Sequence, residues 1–139
     1  MLGLVLAAAL AAAAPPAGNA VPVPSAADAA GSSAAERWVV LVDQERWDES
    51  WRAAGALFRS RTPQAGWVAA IAPVRRPLGA VAARTIKGAT TAGSLPGAPD
   101  GEYQLVQFAT SFANKRDAIE TVVLARELTG WTVAGYFIN

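Results

Sequence analysis

The segment Glu102-Tyr103-Gln104-Leu105-Val106-Gln107-Phe108-Ala109-Thr110-Ser111-Phe112-Ala113 decides the fold. It lies between the turn-forming triplet Pro99-Asp100-Gly101 and the polar reversal Asn114-Lys115-Arg116-Asp117. Its valine, threonine and aromatic content suits a pleated, half-buried surface, so it reads as one long strand. Toward the C-terminus, Ala118 to Leu128 reads as another strand, Thr129-Gly130 as a tight turn and Trp131 to Ile138 as the last strand. Toward the N-terminus, Val81 to Lys87 is a first, poorly patterned strand, followed by a Gly/Thr/Ser segment that is strand or loop. The expectation is an antiparallel meander of about four strands.

The alternation within these strands carries a further hint. Tyr103 and Leu105 point to one face, and Val106, Phe108 and Phe112 to the other. In the last strand Trp131, Val133 and Phe137 oppose Ala134, Tyr136 and Ile138. Neither face is cleanly polar, whereas an antiparallel sheet with one wet face alternates apolar and polar residues. The second face is therefore expected to meet protein, as a self-association surface or a pocket wall, unless the sheet curls and its ends wrap over the core.

Upstream of Gly79 the apolar period changes from two to 3.6. Ser33-Ala34-Ala35-Glu36 matches a capping box, and Trp38, Leu41 and Val42 follow at helical spacing. Asp43 is the expected break and cap before a second helix, in which Trp47, Trp51, Ala54 and Phe58 form one stripe while Asp48, Glu49, Arg52 and Arg59 occupy other faces. Thr62-Pro63 opens a third helix, with Trp67, Ile71 and Val74 on its inner face, and Pro73 should kink or end it. The fold class is thus α+β, three N-terminal helices packed on a curved antiparallel sheet, as a single domain over 33–139.

The first 20 residues hold 15 hydrophobic residues and none of the charged ones. Leu4 to Ala14 is an unbroken apolar run of 11 residues, too short for a bilayer core that needs about 20 but suited to the core of a signal peptide. Residues 1–20 are therefore expected to be a cleaved signal peptide with an atypical, uncharged front end. Cleavage would follow Ala12-Ala13-Ala14 or Gly18-Asn19-Ala20. Residues 21–32, with Pro22, Pro24 and Gly31-Ser32-Ser33 at their end, are expected to be a disordered linker. The expectation is a bacterial protein, periplasmic or extracellular, without stable membrane insertion.

Composition narrows the chemistry. The 139 residues include no cysteine and no histidine. This excludes a thiolate nucleophile, disulfides, a Cys/His zinc site and imidazole acid/base catalysis. Twelve basic against 11 acidic residues, a net charge of +1, leave no electrostatic footprint for nucleic acid. No cofactor or metal is expected: Gly97, Gly101 and Gly130 are not followed by a helix start as a phosphate loop requires, and the acids are too scattered for a calcium loop.

Read together, several motifs are characteristic. They are Arg76-Pro77-Leu78-Gly79, Arg84, Leu95-Pro96-Gly97-Ala98-Pro99-Asp100-Gly101-Glu102-Tyr103, Phe112-Ala113-Asn114-Lys115, Glu120-Thr121 and Trp131-Thr132-Val133-Ala134-Gly135-Tyr136-Phe137, with Trp38, Asp43, Trp51, Phe58 and Trp67 upstream. This ordered set resembles the bacterial family called Domain of Unknown Function 4019, over roughly residues 34 to 139. The resemblance implies a small exported or membrane-tethered protein without an assigned activity. The order of helices and meander also resembles the cone-shaped roll of the nuclear-transport-factor-2 superfamily, or the related cystatin-like roll, which by itself carries no function.

The candidate site residues are Arg84, Glu102, Tyr103, Glu120 and Tyr136, with Asp43 as a further acid. The cone-roll superfamily includes enzymes that pair a carboxylate base with tyrosine in an apolar pocket. Glu120, between Ile119 and Val122-Val123, must be paired or have its pKa raised. A structural ion pair with a residue such as Arg84 is the simpler account of it. Trp38, Trp47, Trp51 and Trp67 fall on inward helix faces and read as core, while Trp131 is open. Arg75-Arg76 and Lys115-Arg116 read as solvated loop charge. Three classes follow: a binding domain for a small ligand or envelope protein, a domain that self-associates as a homodimer through the sheet, and a carboxylate/tyrosine enzyme. The first is the main expectation, without catalytic residues.

Overall fold

A computed structural model describes residues 26–139. The chain runs α1 (Ala26–Asp43), α2 (Trp47–Ala53), α3 (Ala56–Arg61), α4 (Gln64–Arg75), a 3-10 turn (Arg76–Leu78), then β1 (Val81–Ala92), β2 (Tyr103–Phe112), β3 (Lys115–Glu127) and β4 (Gly130–Ile138). The strands form one antiparallel sheet in the order β1-β2-β3-β4, and the class is α+β. Among the described residues no helix is long and apolar enough to cross a membrane.

The helices depart from expectation at three places, each for a physical reason. α1 starts at Ala26, so 26–32 of the expected linker are helical and Ser33 lies within the helix instead of capping it. Alanine-rich sequence has the highest intrinsic helix propensity, and Gly31 lets α1 settle on β2, since a Cβ there would lie 1.7 Å from Gln104 Oε1. The expected signal peptide and residues 21–25 lie outside the described residues. The stripe from Trp47 to Phe58 is buried or partly buried as expected, but it belongs to two helices. The chain leaves the helix at Ala54, and the Gly55 N–H donates to the Val133 carbonyl at 2.8 Å. A Cβ at Gly55 would sit 2.3 Å from Thr132 Oγ1. Of the kink or end expected at Pro73, an end does not occur: α4 continues to Arg75 and tightens into a 3-10 turn that closes at Gly79.

β1 extends through the Gly/Thr/Ser segment to Ala92, with an irregularity between Ile86 and Gly88. The β2–β3 reversal is tighter than expected, because β3 already begins at Lys115. A register shift between Val123 and Leu124, opposite Gly135 and Val133, changes the alternation in β4. Val133 therefore shares the helix-facing core with Tyr136 and Ile138, while Ala134 joins Phe137 on the other face. One extra residue reverses the inward and outward assignment beyond it.

The helix-facing core is aromatic. Trp38, Phe58, Trp67 and Tyr136 are all buried, with Phe58 and Trp67 edge to face at a centroid distance of 5.1 Å and Trp38 5.5 Å from Tyr136. Buried Ser50 organises their polar atoms. Its Oγ accepts from Trp67 Nε1 at 2.9 Å, its carbonyl accepts from Trp38 Nε1 at 2.8 Å, and its own hydroxyl donates to the Trp47 carbonyl. Trp38 and Trp67 can be buried here because their N–H groups have acceptors.

The second face is covered by the chain itself over its apolar half. Leu95 and Ala98 of the β1–β2 connection, and Leu57 of α3, pack on Tyr103, Leu105, Val123, Ala125, Ala134 and Phe137. The connection is held down by the Gly101 N–H donating to the Gly93 carbonyl at 3.1 Å, and by the Tyr103 hydroxyl donating to the Pro99 carbonyl. The second face thus meets protein, but the cover is a connecting segment and a helix of the same chain, where a self-association surface, a pocket wall or curled sheet ends were the expected alternatives.

Candidate functional site

Four neighbouring elements send polar side chains into the helix-facing core. Arg84 on β1 is paired with Thr110 on β2, and Phe108, two residues before Thr110, is paired with Glu120 on β3. Tyr136 on β4 is paired with Val122, two residues after Glu120. Residues two apart on a strand share a face, so Arg84, Thr110, Glu120 and Tyr136 form a diagonal row on the sheet. α1 ends above this row at Asp43, and the last turn of α4 brings Arg75 to it.

Within the row Glu120 is the centre, at 0% exposure. Its Oε1 accepts from Arg84 Nε at 2.8 Å and from Thr110 Oγ1 at 2.5 Å, and its Oε2 accepts from the Tyr136 hydroxyl. Arg84 also grips Asp43 with both terminal nitrogens, Nη1 to Oδ2 at 2.6 Å and Nη2 to Oδ1 at 2.8 Å. Arg75 Nη2 donates to the same Oδ1 at 2.8 Å, and its Nη1 lies 3.9 Å from Glu120 Oε2. The Arg75 guanidinium is stacked 4.8 Å from the centre of the Phe112 ring. Two guanidinium cations thus balance two carboxylates, with side-chain exposures of 4% (Arg75), 13% (Arg84), 19% (Asp43) and 0% (Glu120).

The protonation states follow from these neighbours. Burial by itself would raise the pKa of Asp43, but hydrogen bonds and charge from Arg84 and Arg75 override it and hold the carboxyl below its ordinary value. Burial disfavours the charged form of Arg84, and Asp43 and Glu120 more than compensate, so its pKa is raised. Tyr136 is pushed well above its ordinary value by burial and then by the Glu120 charge. It stays a neutral phenol that donates to the carboxylate.

The family comparison covers this whole constellation. A family described as protein of unknown function (DUF4019) matches residues 34–136, which include Asp43, Arg75, Arg84, Thr110, Glu120 and Tyr136. The chain belongs to the DUF4019 family. No curated protein and no solved structure matches it.

Of the five candidate residues, the DUF4019 domain brings three together, Arg84, Glu120 and Tyr136. The other two stand apart. Glu102 is exposed at the start of β2, with its carboxylate 3.9 Å from Arg126 Nη1. Tyr103 is on the opposite face, fixed to the β1–β2 connection. The ion pair of Glu120 with Arg84 is the simpler account given above for that acid, although Arg84 reaches it across β2 and not from an adjacent strand.

Arg75 corrects the reading of Arg75-Arg76 as solvated loop charge. Only Arg76 is solvated, in an exposed pair with Glu45 at 3.0 Å. A sequence signal for Arg75 existed, since it follows Trp67 and Ile71 at i+8 and i+4 on the inner stripe of α4. Reading Arg75-Arg76 as one pair beside a break passed over it. Trp131 is half-buried against the helix-facing core, with the Arg126 guanidinium 5.5 Å from its ring. Among the described residues no three acidic side chains gather as metal ligands would.

Proposed function

We propose that this protein is an exported, non-catalytic binding domain of the bacterial cell envelope, which contacts a small ligand or an envelope protein through its surface. The observation that carries the reading is the state of Glu120. A general base must come within hydrogen-bond reach of the proton it removes, and this carboxylate is wholly buried with both oxygens occupied. Substrate could reach it only by dismantling the pairs that neutralise it. The residues a carboxylate/tyrosine enzyme would use are engaged in joining the helices to the sheet, which leaves recognition to the surface. Helices followed by a meander with register shifts also support a roll of the nuclear-transport-factor-2 type, as fold-level analogy.

Two measurements test the proposal. If the cluster is closed, the Tyr136 hydroxyl proton exchanges slowly enough with water to be resolved by NMR; a rapidly exchanging hydroxyl would mean an open site and return the enzyme reading. Export is supported by the leader composition of residues 1–20. N-terminal sequencing of the protein from its native host should find a chain that begins after Ala14 or Ala20, and recovery with Met1 intact from the cytoplasm would overturn it.

A further inference from the structure

The cluster under the helices is balanced in charge but unequal in its hydrogen bonds. Glu120 Oε1 accepts from both Arg84 and Thr110, which uses the two lone pairs of a carboxylate oxygen. Among the described residues its Oε2 accepts only from the Tyr136 hydroxyl, so it can take one more donor. Arg75 has the opposite surplus. Its Nη1 and Nε are buried donors without a hydrogen-bond partner among the described residues, on a side chain that is 4% exposed and so screened from bulk water. Idle donors on a buried cation are costly, and native interiors seldom leave them so.

The donor and the acceptor with capacity to spare are neighbours. Arg75 Nη1 lies 3.9 Å from Glu120 Oε2, beyond the range of a direct N–H···O bond. Arg75 cannot slide closer without loss, because its Nη2 is fixed to Asp43 at 2.8 Å and its guanidinium is stacked on Phe112. A polar contact of this length asks for a group that accepts from one atom and donates to the other. Charge decides its class. Arg75 and Arg84 already offset Asp43 and Glu120, so an anion would leave a buried negative charge uncompensated beside a carboxylate. A neutral molecule that both accepts and donates is required, and water is the smallest.

We propose that Arg75 and Glu120 hold one buried water molecule, which accepts from Arg75 Nη1 and donates to Glu120 Oε2 beside the Tyr136 hydroxyl. Its oxygen, about 2.8 Å from each atom, sits to one side of the line that joins them. The pairing of Arg75 with Glu120 is then mediated by water, whereas that of Arg84 with Glu120 is direct. Since both partners are buried, the water leaves only when the cluster opens, and its residence is long compared with that of surface water. The inference concerns the inside of the cluster and stands apart from the binding-domain reading.

A high-resolution crystal structure of the protein, grown with bromide in place of chloride, tests the proposal. Density for one water should appear within about 3.2 Å of both Arg75 Nη1 and Glu120 Oε2, without the anomalous signal of bromide. A direct bond between the two side chains with no density beside them would overturn it. So would an anomalous peak, because the occupant would then be an anion. In solution, oxygen-17 magnetic relaxation dispersion reads long-lived internal waters, and Arg75→Met should lose the amplitude of one such water relative to the parent chain. Undiminished amplitude in a variant whose fold circular dichroism confirms would count against the site. The crystal readout needs no variant and decides by itself if Arg75→Met does not fold.

Discussion

The two faces of this sheet are sealed by different chemistry. On the helix side, indoles, phenyl rings and four charged side chains interlock, and each of the four charges is paired with an opposite charge on another element. On the other side, a connection of about ten residues and one leucine of α3 lie over six apolar side chains. The first face gains specificity, since a hydrogen-bonded charge cluster fits one arrangement of α1 and α4 on the strands, at the risk that any missing member leaves a buried charge uncompensated. The second face has little directional bonding and can yield to substitution. Burying polar groups on one side only makes the helix layer the more brittle half of the molecule.

The largest expected effect comes from breaking the cluster. Glu120→Ala leaves Arg84 and Arg75 facing only Asp43 and should lower stability by about 3–5 kcal/mol, measured by urea unfolding. The double variant Glu120→Leu with Arg84→Met should cost less than the two single changes summed, because it removes opposite charges together. On the second face, Leu105→Ala should cost about 2–3 kcal/mol, the lower part of the range for core truncations, because a loop roof can settle into the gap. Were Leu105→Ala the more damaging of the two, the contrast between the faces would be wrong.

The pH dependence sharpens the same comparison. Asp43 has a folded pKa below its unfolded value, so its contribution is present above the ordinary carboxylate range and lost as pH falls through the folded value. Tyr136 has a folded pKa above the ordinary tyrosine value, so its contribution is present below that value and lost as pH rises through the folded one. Asp43→Asn should flatten the acid limb of a stability profile, and Tyr136→Phe the alkaline limb. Tyr103, on the second face, is raised too, first by burial, against Arg61 and with Asp100. It lacks the buried carboxylate, so Tyr103→Phe should flatten the alkaline limb less. The smallest change expected is the stability cost of that same Tyr103→Phe, about 1 kcal/mol for one hydrogen bond to the Pro99 carbonyl. A cost equal to that of Tyr136→Phe would erase the distinction between the faces.

How far the sequence could be read follows from the range of the forces involved. The strand segments, the meander and the inward stripes of Trp38, Trp47, Phe58, Trp67 and Ile71 were legible, because periodicity and turn chemistry act over a few residues. Glu120 was legible only as a choice, since a carboxylate among Ile119, Val122 and Val123 is paired or has its pKa raised, and the structure takes the pairing. The missed features each depend on a group distant along the chain. The break at Gly55 depends on β4, the start of α1 leans on Gln104, the β4 parity turns on one irregular pairing, and Arg75 is buried because Asp43 and Phe112 wait for it.

By itself, then, the sequence determined the α+β order, the aromatic core, the absence of thiol and imidazole chemistry, and the family. Only the tertiary structure decided that Arg84, Glu120 and Tyr136 meet while Glu102 and Tyr103 do not, and that the apolar half of the second face is roofed by its own chain. Helix and strand periods are local, whereas a charge cluster and a sheet edge exist only once strands are in register and helices have landed on them.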